Sequence, residues 1–219
     1  PRISGPLWGL PQDAHSARSG LTEQMSPGSF SNLVLSSEIV LRVRFEDEMP
    51  AFDKLYWRGP VMDTFDGRTW RPYPGLSRTP TIEAFSPPIR YESTLEANQQ
   101  RWLLALDAPA PSLKEFSINN TLTVTNRQVI SQRSRFTLIS VTDYRFNVME
   151  DAEVLRRNLK LPADLNPKSR ALAESWHAQS ANPSATVNLA IALFSGKDFT
   201  YTLQPPLLGE HSIDQFLFE

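Results

Sequence analysis

From residue 33 to residue 146 the chain offers one short β-type run after another and no sustained helical period. That pattern constrains the fold more than any other feature. In Ser37–Asp47, Ile39, Leu41, Val43 and Phe45 alternate with Glu38, Arg42, Arg44 and Glu46, with Val40 off pattern. A two-residue period of this kind predicts a half-buried strand. LYWRGPV is a second strand, with Pro60 pushing its end to an edge or bulge. Phe65–Trp70 sets Asp66-Gly67 between aromatic flanks, the strongest short turn signal in the chain. IRYESTLEA alternates again, with Ile89, Tyr91 and Leu95 on one face. RWLLALD reads as a buried strand or short apolar run, and TLTVT and FTLISVTDYRF as further strands rich in Thr, Val, Ile and aromatics. Seven or eight short strands in this stretch predict an antiparallel β-sandwich of immunoglobulin-like size, without the Cys-Trp-Cys signature of antibody domains.

The segments on either side read differently. Residues 1–32 hold Pro1, Pro6, Pro11 and Pro27 with several Gly and Ser, which predicts an extended lead-in anchored by Trp8 and Leu10. After Asn147 the period becomes helical. Val148–Leu159 reads as a short helix with Val154, Leu155 and Leu159 on one face. Asn166-Pro167 and Asn182-Pro183 each pair an N-cap with a proline at the first helical position. Gly196 reads as a left-handed stop, Phe199–Leu203 as a strand, and Ser212 as the cap of a last helix carrying Ile213, Phe216 and Leu217. Large apolar residues so near a terminus suggest the opening of a further domain, and a start at Pro1 suggests a piece of something longer.

Composition narrows the chemistry. A net charge of −2 gives no electrostatic footprint for nucleic acid. No apolar run reaches the roughly 18–20 residues that span a bilayer. With 0 Cys the chain has no disulfide, thiolate nucleophile or cysteine-ligated zinc of its own. His15, His177 and His211 are scattered and fall in no metal-ligand spacing. Asp63 and Asp66 faintly echo a calcium loop but read better as turn formers, because the loop's other oxygen ligands are lacking. Gly-x-Ser-x-Gly and phosphate-loop motifs are absent, and no carboxylate pair is assignable to glycoside hydrolysis. No catalytic, cofactor-binding or metal-binding residue is therefore assigned. Trp57, Arg58, Arg68 and Trp70 are the candidate partner surface, weighed against a plug between two sheets.

PRISGPLWGLP, MSPGSFSNLVLSSEIVLRVRF, LYWRGPVMDTFDGRTW, LKLPADLNPKSRALAESW and HSIDQFLFE, in that order, resemble the periplasmic region of the bacterial TgpA-type transglutaminase-like family. The resemblance covers nearly the whole chain. It implies an inner-membrane parent whose periplasmic segment carries a papain-like Cys-His-Asp core. There a thiolate attacks a glutamine-like amide, expels ammonia and passes the acyl group from a thioester to an amine or water. In the family the Cys lies just downstream of the segment matching IDQFLFE, so no catalytic residue carries over to this chain.

The resulting expectation is a lead-in at 1–32, an immunoglobulin-like β-sandwich at 33–146, and an α-rich, truncated transglutaminase-like piece at 147–219. This periplasmic fragment would be non-catalytic and take no cofactor. It would position the catalytic half of its own chain, with membrane contact only through flanking spans. The alternative is a stand-alone envelope module that binds cell-wall peptide or a protein partner.

Overall fold

The computed structural model describes residues 23–26, 39–75, 78–110, 115–196, 199–200, 202 and 206–219. Among these it is mainly antiparallel β structure with four α-helices. The strands are β1 (Leu41–Phe45), β2 (Trp57–Arg58), β3 (Thr64–Phe65), β4 (Trp70–Arg71), β5 (Ile82–Ala84), β6 (Ile89–Leu95), β7 (Trp102–Leu103), β8 (Ala105–Leu106), β9 (Ala108–Pro109), β10 (Ser117–Ile118), β11 (Val124–Thr125), β12 (Ser134–Val141) and β13 (Tyr144–Phe146). The helices are α1 (Ala152–Asn158), α2 (Pro167–Gln179), α3 (Pro183–Phe194) and α4 (Ser212–Phe218). Trp8, Leu10 and His15 lie outside the described residues.

The chain divides into two compact units. The first takes the described residues of Pro1–Gln24, Leu33–Thr64 and Arg71–Leu159; the second takes those of Met25–Asn32, Phe65–Trp70 and Lys160–Glu219.

The first unit is built on a four-stranded sheet in the order β1-β6-β12-β9. Central strand β6 pairs with β1 from Leu41↔Leu95 to Phe45↔Tyr91, and with β12 from Ser134↔Leu95 to Ser140↔Ile89. Alternation is visible here because one face of each strand is enclosed and the other is wet. Tyr91, Leu95 and Leu138 pack with Leu103, Ala105, Leu106, Val124 and Ile130 to form the core. The phenol of Tyr91, fully enclosed, accepts from the Leu106 N–H at 2.7 Å and bonds the Ser140 hydroxyl at 3.1 Å. Burial pushes its pKa up, against the opposing pull of those two bonds.

RWLLALD does not form one strand. It breaks into β7 and β8 around Leu104, after which Asp107 turns left-handed at φ 38° and leads into β9. β7 joins the three-stranded sheet β10-β11-β7, while β8 pairs with β2.

The hairpin of β3 and β4 turns where Asp66-Gly67 predicts. Gly67 has φ 104°, and Asp66 Oδ1 accepts from the N–H groups of Arg68 and Thr69. A side chain at Gly67 would be strained by that φ, and its Cβ would fall 2.1 Å from Leu165 Cδ1.

Several helix-end expectations are corrected. α1 begins at Ala152, not Val148, because Asp151 caps it through the Glu153 N–H. Ser212 is the first residue of α4, and His211 occupies the cap position. Gly196 is not left-handed; α3 closes at Ser195 with φ −80° in an ordinary helical conformation. Within Phe199–Leu203, the described residues Phe199, Thr200 and Thr202 belong to no strand, and Tyr201 and Leu203 lie outside the described set. Asn182 caps α3 as predicted, through the Ala185 N–H.

Candidate functional site

The aromatic stretch divides between the two units. In the first unit, Trp57 packs against the core and meets Tyr91 edge-on at 5.8 Å. Its neighbour Arg58 is largely enclosed. The Nε–H donates to the Asp107 carbonyl at 2.9 Å, and Nη2 donates to Asp107 Oδ1 at 3.2 Å and to the Tyr144 hydroxyl at 3.1 Å. Tyr144 donates in turn to Asp107 Oδ1 at 2.7 Å, and the guanidinium lies over the Tyr56 ring. Burial first, then the bond to Asp107 and its charge, push the Tyr144 phenol up to about 12, with Arg58 pulling the other way. Left-handed Asp107 is thus clamped by Arg58 of β2 and Tyr144 of β13, two strands that share no local motif with it. In the second unit, Trp70 stacks on Phe65 at 4.6 Å while Arg68 is exposed at the hairpin tip. Met25 and Trp70 exchange backbone bonds, and Ser26 bonds Thr69.

Asp63 and Asp66 both act through N–H groups. Asp63 Oδ1 accepts from the Tyr73 N–H at 2.7 Å, and Oδ2 meets Arg157 at 3.3 Å. The Arg157 guanidinium lies 3.8 Å from the Tyr73 ring centre. Tyr73 and Arg157 edge a polar cleft of about 520 Å3 in the first unit, whose walls include Arg78, Glu83, Asn147 and Asp151. Asn147 is left-handed at φ 46°; it donates to the Asn120 carbonyl and to Glu150, and accepts from the Thr81 N–H. Arg78 pairs with Asp151 at 3.4 Å.

The second unit holds a constellation that local pattern does not reveal. Asn166, left-handed at φ 56°, does not cap its own helix α2. Its Oδ1 instead accepts from the N–H groups of Ile213 and Asp214 at the start of α4, at 3.0 and 3.3 Å. Asp214 returns the arrangement: its carboxylate accepts from the Lys168 N–H at 2.9 Å, the Ser169 N–H at 2.7 Å and the Ser169 hydroxyl. His211 Nδ1 accepts from the Asn166 N–H at 3.1 Å. Each helix start is therefore capped by a side chain of the other. Such capping satisfies N–H groups that a helix start leaves without an internal partner. Burial acts to raise the Asp214 pKa, but the bonds from Ser169 and Lys168 and the proximity of His211 prevail and hold it below the ordinary aspartate value.

Ser169, His211 and Asp214 thus stand together without forming a nucleophilic triad. Ser169 gives its proton to the carboxylate, and the Nδ1 lone pair of His211 is engaged by the backbone. An apolar hollow of about 150 Å3 adjoins them, walled by Phe65, Leu161, Pro162, Leu165, Ala173 and Ile213. Among the described residues, no three His, Cys, Asp or Glu side chains are grouped to hold a metal ion, and no helix is long and apolar enough to cross a membrane.

Known proteins align with these features. The profile of the TgpA N-terminal domain matches residues 1–147. A protein-glutamine gamma-glutamyltransferase of Pseudomonas aeruginosa is 35% identical over 221 aligned positions, covering 100% of this chain and 33% of that protein. The chain therefore spans about a third of the relative's length. Two crystal structures of the periplasmic domain of TgpA from Pseudomonas aeruginosa superpose with TM-scores of 0.82 and 0.83, the first bound to ethylmercury. They are 34% and 33% identical, each covering 91% of this chain, which spans 71% and 70% of theirs. The resemblance carried by the WRGPV and FDGRTW elements is borne out by the profile match across both, and the chain belongs to the family described as the TgpA N-terminal domain.

Proposed function

We propose that this chain is the non-catalytic periplasmic part of a protein-glutamine gamma-glutamyltransferase-like thiol acyltransferase. The observation that carries this reading is the full-length alignment with the Pseudomonas aeruginosa enzyme, which continues beyond residue 147 through the three helices of the second unit. In this reading the strands of residues 33–146 form an immunoglobulin-like sandwich, and the helices from residue 147 onward are part of a papain-like core. The reciprocal caps hold α2 and α4 in one geometry. Val187, Ile191 and Phe194 of α3 and Phe216 of α4 stay exposed and are covered by the catalytic remainder of the parent. The attacking thiolate belongs to that remainder, since this chain has 0 Cys.

The test compares this chain with a form extended past Glu219 through the whole expected Cys-His-Asp core, scored by incorporation of a fluorescent primary amine into a glutamine donor. The extended form should transfer the acyl group, and the 219-residue chain should not. An extended form that folds with its Cys intact and stays inactive counts against the proposal.

A second reading, an envelope binding module for peptide or protein, draws on the cleft beside Tyr73 and Arg157. Chemical-shift changes confined to those walls on titration with cell-wall peptide would favour it.

A further inference from the structure

The outward face of the β1-β6-β12 sheet is an arginine array. Apart from Ile139 and Val141, the latter buried beside Ala108 and Leu122, its outward positions carry Arg, Glu or Thr: Arg42 and Arg44 on β1, Arg90, Glu92 and Thr94 on β6, Arg135 and Thr137 on β12. Glu46, Glu96 and Arg133 extend the same face beyond the strand ends. The ion pairing is uneven. Glu96 is shared by Arg42 and Arg133, the latter at 2.9 Å. Glu92 is shared by Arg44 at 3.8 Å and Arg135 at 3.5 Å, while Arg90 meets Glu46 at 3.6 Å. Five guanidinium groups thus stand against three carboxylates. The face is positive by two charges on a chain whose net charge is −2.

The guanidinium groups are open to water, with Arg44, Arg135 and Arg133 side chains exposed to 79%, 70% and 64%. A guanidinium has five N–H donors, and one shared carboxylate engages only part of them. Arginine is suited to such a role because its planar fork matches phosphate oxygens and keeps its charge at any physiological pH.

We propose that this sheet face docks on an anionic phospholipid bilayer, through the phosphate groups of its lipids. The geometry favours a surface over a single ion. Outward side chains on a strand repeat every second residue, roughly 7 Å apart, and the strands lie about 5 Å apart, so the donors form a plane and do not converge on a point. The composition favours a lipid surface over a protein. Protein interfaces have cores depleted of charge and enriched in aromatic residues, whereas this face has no aromatic side chain at its outward strand positions. Carboxylates interleaved with the arginines keep the attraction weak and reversible.

The experiment is co-sedimentation of the chain with vesicles of phosphatidylglycerol and phosphatidylcholine at low salt, against phosphatidylcholine alone. Binding should need phosphatidylglycerol and fall steeply as salt shortens the Debye length. An arginine near an anionic membrane changes partitioning by roughly fivefold, so the R44S/R135S double variant should lose about thirtyfold. Glu92→Gln, which frees those two arginines from their shared carboxylate, should raise partitioning several-fold. An unfolded variant cannot mimic that opposite sign. Absence of phosphatidylglycerol-dependent binding, indifference to R44S/R135S, or failure of Glu92→Gln to raise partitioning would each overturn the proposal. Retention on an acidic polypeptide in place of vesicles would overturn it as well, and would assign the face to a protein.

Discussion

In the first unit the enclosed large side chains are Tyr91, Leu95, Trp102, Leu103, Leu106, Leu122, Ile130 and Leu138. Among the described residues of the second unit, the enclosed ones are Gly67, Thr69, Asn166, Ser212 and Asp214. Neither α2 nor α3 has a buried residue, and Val187, Ile191, Phe194, Phe216 and Phe218 are exposed. One unit is organised by apolar burial and the other by crossed hydrogen bonds at its helix starts. Burial of apolar area is non-directional and tolerates repacking. A cap requires one donor and one acceptor in place. The second unit thus ties the starts of α2 and α4 together by hydrogen bonds, and beyond ring contacts among Phe194, Phe199 and Phe216 much of its apolar surface stays exposed.

The largest expected effect tests this contrast directly. Leu138→Ala leaves a cavity in the first unit's core and should cost about 2–5 kcal/mol in denaturant unfolding. Ile191→Ala, at a side chain 56% exposed, should cost no more than about 0.5 kcal/mol. Equal losses at the two positions would break the distinction.

A smaller effect separates the crossed caps from local backbone strain. Asn166→Gly keeps the left-handed backbone and removes the acceptor for Ile213 and Asp214, for a loss of about 1 kcal/mol. Asn166→Ala removes the acceptor and adds left-handed strain, for about 2 kcal/mol. Acid sharpens the same point. Because the Asp214 pKa is lowered on folding, its contribution is present above the ordinary aspartate pKa and is lost as pH falls through the folded value. Helical circular dichroism followed from pH 5 to pH 2 should show less acid loosening in Asp214→Asn than in the parent chain. An unchanged profile would remove Asp214 from the account.

These differences explain what could be read from the sequence. β1, β6 and β12 were legible because each is long enough to alternate and has one enclosed face. The Asp66-Gly67 turn was legible because its hydrogen bonds close within three residues. Two-residue strands such as β2, β8 and β9 are too short to show any period, and they bring the strands among the described residues to thirteen, against the seven or eight that the pattern predicts. The Asn166-Pro167 signal did mark a helix start, but the acceptor serves Ile213 and Asp214, more than forty residues away. Ser212 failed as a cap because that acceptor already serves the start of α4. The Asn166–Asp214 node and the Arg58–Asp107–Tyr144 clamp are long-range facts, and local preference carries no trace of their partners. Of the candidate surface, Trp57 and Arg58 are tied to the first unit's core and clamp, while in the second Arg68 sits at the hairpin tip and Trp70 on strand β4, stacked on Phe65.

The clamp gives the next effect in size, and places a polar device inside the apolar unit. Tyr144→Phe should cost about 1 kcal/mol, since Arg58 still holds Asp107. The phenol is raised to about 12, so its contribution is intact below the ordinary tyrosine value near 10 and is lost as pH rises through the folded value. Stability of the parent chain should therefore decline between about pH 10 and 12, with a shallower decline in Tyr144→Phe. Identical slopes would mean that the clamp is not coupled to folding of the first unit.

The smallest effect falls on the arginine face, where stability and binding should part company. Glu92 sits between Arg44 and Arg135, on a surface where ion pairs contribute little because water screens them and long side chains resist ordering. Glu92→Gln should therefore shift unfolding by no more than about 0.5 kcal/mol, while raising affinity for anionic vesicles. A large loss of stability would mean that the carboxylate is structural and the arginines are there to hold it. A negligible loss with stronger vesicle binding would mean that the glutamate restrains an electropositive face backed by the apolar core.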